Sequence, residues 1–221
     1  HEVADAAIQE LVGLHAPLWC DPSLDEMSFL GDRRRSARSA SDLYLKTFSG
    51  FADRFGSELT ENQLDIMRRF GEAGDSYRAA VDQSIFAPVH IDYRLDNILV
   101  DDRGDRPTVT VVDWQSIAIG NPLTDVGYFL GAGMLPAARR ESEEEIVRKY
   151  HRSLVSAGIE GYGFEQCWQD YRRSSFAGFS VTVVASMLVQ QTQRGDQMFL
   201  TMAQRHSQHA IDMGAEEFLD V

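Results

Sequence analysis

The sequence predicts an α+β protein that is mainly helical and contains one small β-hairpin. Stretches with apolar residues at helical spacing occupy most of the chain. Two short apolar and β-branched runs, Ile98–Val100 and Val109–Val112, flank a segment, 101–107, that is rich in turn formers, which is a hairpin pattern. With 221 residues, of which 43 % are hydrophobic and 25 % charged, the chain can bury a sizeable core as one domain.

Helical patterns lie on both sides of the hairpin. The first has apolar residues at positions 4, 7, 8 and 11, which share one helical face. The predicted helices are Val3–Val12, Ser41–Phe55, Thr60–Val81, Phe164–Gln193 and Asp196–Leu219, with shorter helices beginning at Val126 and at Ser142. Gly71 and Gly74 weaken the continuity of the third helix. The glycines at 131 and 133 predict the end of the helix that begins at Val126.

Two segments are predicted to be non-helical. Residues 20–38 are expected to form a loop, since they contain Pro22, Gly31 and the basic run Arg33–Arg35. We interpret the basic run as a solvated surface, with contact to a phosphate or an acidic partner as the minority alternative. Ile85–Val89 predicts a short extended approach to the residues before the hairpin.

Polar residues occur at both ends of the hairpin. Asn97 directly precedes the first strand, and Asp113 directly follows the second. Because paired antiparallel strands lie about 5 Å apart, an amide oxygen and a carboxylate should converge there. Such hard oxygen ligands suit Mg²⁺, which fills its remaining positions with water and nucleotide phosphate oxygens. Asp92, in the preceding loop, would then accept a proton or orient a hydroxyl beside the metal.

The segment His90–Val100, followed by Val111–Gln115, resembles the catalytic loop and metal-binding segment of the kinase-like phosphotransferases. The shared pattern is H-x-D-x-x-x-x-N, an apolar strand, a turn, a second strand and then Asp. The variants HIDYRLDN and VVDWQ are most similar to the ecdysteroid-kinase-like relatives of the aminoglycoside phosphotransferases and choline kinases. The resemblance implies that Asp92 is the catalytic Asp. It also implies that Asn97 and Asp113 bind Mg²⁺ and, through it, ATP.

The same resemblance implies roles for neighbouring residues. His90 would support the loop, and Arg94 would contact the transferred phosphate. In the segment Gly120–Asp125, the side chain of Asp125 would brace the loop. The sequence departs from the usual pattern at Ile91, where these families have Gly.

The fold implied by the resemblance is the C-terminal lobe of a kinase-like protein, with residues 1–221 forming that single lobe. The catalytic loop and metal segment would occupy residues 88–125, and a helical subdomain on the substrate side would occupy 136–221. A glycine-rich strand pair and a strand lysine normally hold the nucleotide phosphates, but Lys46 and Lys149 both fall on predicted helices. The N-terminal β-lobe is therefore expected to be absent. Alone, the chain would bind nucleotide poorly and be inactive, so the missing lobe or a partner chain would have to complete it.

The sequence is compatible with three functions. The leading hypothesis is ATP-dependent transfer of the γ-phosphate to a hydroxyl of a small molecule. The first alternative is a non-catalytic, pseudokinase-like binding scaffold. A metal-dependent phosphohydrolase is weaker, because no second His/Asp cluster with ligand spacing accompanies the first. Against all three stands the interpretation that the acids are only turn and cap residues of an ordinary hairpin.

Composition narrows the expected partners. A net charge of −13 argues against nucleic acid, which requires a basic surface, and weakly favours a cationic acceptor. Cys20 and Cys167 fit neither a metal-ligand spacing nor a disulfide framework, so a reducing, cytoplasmic location is expected. The most apolar run, Phe176–Val189, is shorter than the roughly 18–20 residues that a bilayer span needs, so no membrane association is expected.

Overall fold

The structure of the protein, a computed structural model, describes residues 2–32, 37–82 and 85–219. Its elements in order are α1 Glu2–His15, β1 Gly31–Asp32, α2 Ala37–Phe55, α3 Glu61–Asp82, β2 Ala87–Val89, β3 Ile98–Asp101, β4 Thr108–Val111, β5 Ala118–Gly120, α4 Leu123–Gly133, α5 Pro136–Ser156, α6 Phe164–Arg173, α7 Ser186–Leu188 and α8 Gln193–Asp212. The protein is mainly helical with small sheets, as predicted. The basic run Arg33–Arg35 lies outside the described residues.

The predicted hairpin forms from β3 and β4. The strands are antiparallel, with Ile98 opposite Val111 and Asp101 opposite Thr108. Ile98 and Val109 are buried, whereas Leu99 is 60 % exposed. The hairpin therefore covers the core with part of its side chains and leaves others at the surface.

A second sheet joins three parts of the chain that are distant in sequence. Its strand order is β1, β5, β2, with β5 parallel to β1 and antiparallel to β2. The sequence did not predict β1 or β5, because strands of two and three residues are too short to show alternation. Since β2 leads into the candidate catalytic loop and β5 follows Asp113, this sheet fixes both ends of the segment that carries the candidate site.

The helix that was predicted to begin at Val126 and to end at the glycines 131 and 133 is α4, and its glycines also have a packing role. Helix α4 continues to Gly133. A Cβ atom added to Gly127 would lie 2.5 Å from the backbone oxygen of Ser174, and one added to Gly131 would lie 2.7 Å from Nδ1 of His206. Glycine is required at both positions because α4 packs this closely against its neighbours.

Other helix boundaries differ from the prediction. Helix α5 begins at Pro136 rather than Ser142, with the proline at its N-terminus, where a missing N–H costs nothing. Helix α3 has a kink at Gly74, where φ is 9° and ψ is −84°. The predicted helix Asp196–Leu219 divides into α8 and a 3₁₀ turn at Ala215–Phe218.

The predicted long helix Phe164–Gln193 is broken. Helix α6 ends at Arg173, and a 3₁₀ turn, a π-helical turn at Val181–Ala185 and the short α7 follow. Within this region Gly178 packs directly against the ring of His206, and the hydroxyl of Thr182 donates a hydrogen bond to the Gly178 carbonyl at 2.7 Å. The apolar spacing is that of a buried helical segment, which the structure divides among 3₁₀, π-helical and α-helical turns.

Two apolar clusters meet at α4. One lies mainly among α1, α4, α5 and α6, and the other among α2, α3, α8 and the π-helical turn. Helix α4 contributes Phe129 to the first cluster and Tyr128 to the second. It is therefore anchored on both sides, and the contacts that Asp125 and Tyr128 make with the candidate catalytic loop start from a buried helix. Within the described ranges, no helix is both long and apolar enough to cross a bilayer.

Candidate active site

Asp92 is held by two side chains but remains accessible. Asn97 donates from Nδ2 to the backbone oxygen of Asp92 at 2.9 Å and to its Oδ2 at 3.0 Å. The hydroxyl of Tyr128 donates to Oδ1 at 3.2 Å. The Asp92 side chain is nevertheless 31 % exposed. The carboxylate is thus oriented from within the protein and open to a ligand from outside.

Tyr128 is a site residue that the sequence reasoning missed. It is buried on α4, and burial together with the negative charge of Asp92 raises its pKa. The phenol therefore keeps its proton and acts as a donor to Asp92. The signal available in the sequence was its position three residues after Asp125, which places both on neighbouring turns of one helix.

Arg94 connects Asp92 to α8. Its Nε lies 3.4 Å from Oδ1 of Asp92, and its Nη1 lies 3.8 Å from Asp96. The same Nη1 is 3.6 Å from the sulfur of Met198 on α8. The guanidinium is 25 % exposed, so it can also meet a ligand that reaches Asp92.

Asp125 is buried beneath the loop that contains Asp92. Its Oδ2 accepts from the backbone N–H of His90 at 2.6 Å, and its Oδ1 accepts from that of Ile91 at 2.9 Å. The Nε2 atom of His15 lies 3.4 Å from Oδ2, while Nδ1 of His15 shares a 2.7 Å hydrogen bond with the hydroxyl of Tyr150. A continuous series of polar contacts therefore connects α5, α1 and α4 to the loop backbone.

Ile91 has the backbone conformation of a glycine. Its φ is 75°, in the left-handed region that β-branched residues rarely adopt. The backbone N–H groups of His90 and Ile91 both donate to the Asp125 carboxylate, which fixes the backbone at these two residues. The loop therefore keeps the path that Gly usually allows, and Ile91 bears the steric cost.

His90 links the loop to the segment before Asp113. Its ring Nε2–H donates to the carbonyl of Val112 at 3.0 Å, since a carbonyl can only accept. The ring also lies against Trp114, with centroids 4.9 Å apart. The His90 carbonyl accepts from the hydroxyl of Ser116 at 3.2 Å. The buried His90 side chain thus contacts the loop's neighbours on both sides of Asp113.

Asn97 and Asp113 are near each other along the hairpin, but not as direct cross-strand partners. The backbone N–H of Val112 donates to the carbonyl of Asn97 at 3.0 Å, so Asn97 lies opposite Val112. The expectation that Asp113 is its partner was off by one residue. Asp113 leaves the strand in a left-handed conformation, with φ 65° and ψ 56°, which the sequence does not reveal.

The oxygens of this pair fit a hard cation. The amide nitrogen of Asn97 faces Asp92, and no described residue donates to its Oδ1. The exposed carboxylate of Asp113 forms no ion pair within the described part of the chain. In the same ranges, no three His, Cys, Asp or Glu side chains cluster as metal ligands. A cation bound here would have few protein ligands, as Mg²⁺ usually does.

The sequence places the chain in a known family. The profile of the ecdysteroid kinase-like family matches residues 32–159, which is more than half of the chain and includes the whole segment His90–Asp125. No curated protein matches the chain. The family is one of kinase-like phosphotransferases. With its HIDYRLDN loop and following Asp113 inside the matched range, the chain belongs to the ecdysteroid kinase-like family.

Proposed function

We propose that the chain carries the catalytic lobe of a phosphotransferase that moves the γ-phosphate of ATP to a hydroxyl of a small molecule. The observation that supports this most is the state of Asp92, whose carboxylate is fixed by Asn97 and Tyr128 and yet is 31 % exposed. A turn or cap residue would direct its carboxylate to nearby backbone N–H groups. Membership of a kinase-like family supports the same function.

Asp92 would orient the acceptor hydroxyl and take its proton. Tyr128 and Asn97 each donate to a different carboxylate oxygen, which limits rotation of the group. Positioning of this kind supplies most of what a protein contributes to phosphoryl transfer. Arg94, beside Asp92, would stabilise negative charge on the transferred group.

Asn97 Oδ1 and the Asp113 carboxylate would hold Mg²⁺. When bound, the ion neutralises charge on the β- and γ-phosphate oxygens of ATP. On the protein side, the hydrogen bond from Asn97 Nδ2 to Asp92 supports Oδ1 as the atom that would face the cation. Asn97 therefore joins the metal pair to the acid that would take the proton.

The acceptor would enter from the cavity next to Arg94. This cavity has a volume of about 580 Å³, within the usual range for small-molecule sites. The lobe that clamps the nucleotide would come from another part of the protein or from a partner chain. In this arrangement residues 88–125 form the catalytic and metal segment, and residues 136–221 the substrate side.

A non-catalytic scaffold remains the second candidate, because one observation favours it. Within the described ranges, Lys46 and Lys149 lie on helices α2 and α5, and Lys149 pairs with Asp5 at 3.2 Å. Neither occupies a strand from which it would reach nucleotide phosphates.

The test is Asp92→Asn in the natural full-length protein. Turnover of Mg-ATP would be followed with a panel of amino-sugars, choline analogues, sterols and macrolides. We expect a loss of about 10²–10⁴-fold in kcat for the active acceptor, because proton transfer and alignment both depend on this carboxylate. Asp102→Asn is the matched control, since Asp102 is exposed in the hairpin turn. Unaltered turnover would exclude Asp92 as the base, and Mg-ATP binding without any turnover would favour the scaffold.

A further inference from the structure

The cavity beside Asp92 lies between the catalytic loop and helix α8. Its volume is about 580 Å³. Its walls are formed by Arg94, Leu95, Asp96, Ala132, Gly133, Gln193, Arg194, Gln197, Met198, Thr201, Met202 and Arg205. None of Asp92, Asn97 and Asp113 belongs to this lining, so the cavity adjoins Arg94 directly and the candidate acid only through it. It reaches Asp92 through Arg94, whose Nε is 3.4 Å from the carboxylate.

The charge of this cavity is opposite to that of the chain. Arg94, Arg194 and Arg205 contribute three cations, against one acid, Asp96. The whole sequence carries a net charge of −13. The chain is acidic overall, but this cavity beside Arg94, a neighbour of the candidate catalytic acid, has a net positive lining.

Two of these arginines are available to bind an anion. Arg205 donates from Nη1 to the backbone oxygen of Ala132 at 2.7 Å, which places its guanidinium at the wall. Within the described part of the chain, neither Arg194 nor Arg205 forms an ion pair with a carboxylate. Arg194 also lies in the first turn of α8, where a cation is unfavourable to the helix dipole. Helix stability therefore does not explain the position of Arg194.

The remaining wall is largely apolar. Leu95, which is 46 % exposed, lines the cavity together with Met198 and Met202. Flexible methionine side chains adapt to apolar ligands of varied shape. The cavity therefore combines an apolar surface with unpaired guanidinium groups.

We propose that the acceptor is an anionic amphiphile: a small hydroxylated molecule with an apolar body and a carboxylate or sulfate group. The anion would bind Arg194 and Arg205, and the body would lie on Leu95 and the two methionines. This assignment rests on the proposed function for the role of Asp92. It reverses the expectation, drawn from the acidity of the whole chain, that a cationic acceptor is favoured.

The test measures binding in the absence of nucleotide, by calorimetry on the full chain. The probes form two matched series, one built on 4-(hydroxymethyl)benzene and one on 12-hydroxydodecane. Each series carries a carboxylate, a sulfur oxyanion, a methyl ester or an amine at the far end. We expect the two anions to bind at least about tenfold more tightly than the ester and the amine. Raising the salt concentration should weaken only the anions.

Variants identify the cavity as the binding site. Arg194→Gln and Arg205→Gln should each weaken binding of the anionic probes about tenfold and leave the esters unchanged. Arg205→Lys should restore part of the loss, which separates a charge effect from a folding defect. Arg152→Gln is the matched control, because Arg152 is exposed on α5 and pairs with Glu145 at 3.0 Å, outside the cavity.

Each result bears on one proposal. Absence of an anion preference in both series, including absence of any binding, would overturn the inference, as would an anion preference that survives both glutamine variants. Anion binding that depends on Arg194 and Arg205, without phosphate transfer to any probe, would count against the proposed function and leave the anion site standing.

Discussion

The carboxylate of Asp125 accepts hydrogen bonds from two consecutive backbone N–H groups, those of His90 and Ile91, at 2.6 and 2.9 Å. Asp125 is 1 % exposed, so these bonds form away from water. This contact fixes the loop that contains Asp92 to helix α4. It also holds Ile91 in its left-handed conformation.

Asp125→Asn should lower both stability and turnover. An asparagine can accept only one of the two N–H bonds, and its own NH₂ group would face the other donor. We expect the free energy of unfolding to fall by about 2–4 kcal/mol. Urea denaturation measures this, with Asp102→Asn, on the exposed hairpin turn, expected to stay within about 0.5 kcal/mol. An equal effect at the two positions would show that Asp125 does not brace the loop.

Glycine should be better than alanine at position 91. Ile91→Gly and Ile91→Ala both remove the side chain beyond Cβ and differ only in the Cβ methyl group. The difference between their free energies of unfolding therefore measures the cost of a Cβ atom in this backbone conformation. Because φ is 75°, we expect the Gly variant to be more stable than the Ala variant by about 1 kcal/mol. At an ordinary helical position such as Gly13, where an added Cβ meets nothing within 4 Å, alanine should be the more stable residue. The same order at both positions would refute a strained Ile91.

Tyr128→Phe should slow catalysis while the fold persists. The ring stays buried, but Asp92 loses the donor at its Oδ1. We expect kcat for the active acceptor to fall about 3- to 10-fold, which corresponds to about 0.6–1.4 kcal/mol for one hydrogen bond. Tyr162→Phe is the control, because its hydroxyl donates to Asp170 at 2.9 Å, far along the chain from the catalytic loop. A kcat that is equally low in both variants would indicate a general loss of stability.

Two buried histidines should make the protein sensitive to mild acid. Burial and the charges of Arg205 and Arg139 lower the pKa of His206 to about 3, and burial with the charge of Arg139 lowers the pKa of His209 well below its usual value. His206 packs on Tyr128, and His209 lies against Tyr171 and 3.5 Å from Glu143. Glu143 does not offset this effect, since it is already paired with Arg139 at 2.7 Å.

Both histidines should destabilise the folded protein as the pH falls. Each histidine stays neutral in the folded protein, whereas in the unfolded chain it binds a proton below about pH 6.5. The free energy of unfolding should therefore decrease as the pH falls from about 6.5, by roughly 1.4 kcal/mol per pH unit for each histidine once the unfolded chain is protonated. His206→Gln should reduce the slope of the free energy of unfolding against pH, measured between pH 5 and 6, by about 1.4 kcal/mol per pH unit, which is the contribution of one proton. His151→Gln is the control, since that ring is half-buried; a slope that His206→Gln leaves unchanged would contradict the prediction.

The sequence was sufficient for the hairpin and the residues at its ends, because strand patterns, turn formers and the spacing of Asp92, Asn97 and Asp113 are local. It was not sufficient for the register. Asn97 lies opposite Val112 because Ile98 pairs with Val111, and Asp113 then leaves the strand in a left-handed conformation that no neighbouring residue indicates. The helical predictions failed where the chain packs most closely, since contacts such as that between Gly178 and His206 join positions far apart in the sequence.

The close packing of α4 limits how this protein can move. Gly127 rests against the backbone of Ser174, and Gly131 lies against His206 and His209, so α4 can neither slide nor turn without displacing buried groups on two sides. Asp125 and Tyr128 therefore give the loop a stationary support. A ligand in the cavity would therefore meet a fixed wall at the end of α4 and an exposed wall at the start of α8, which carries Arg194.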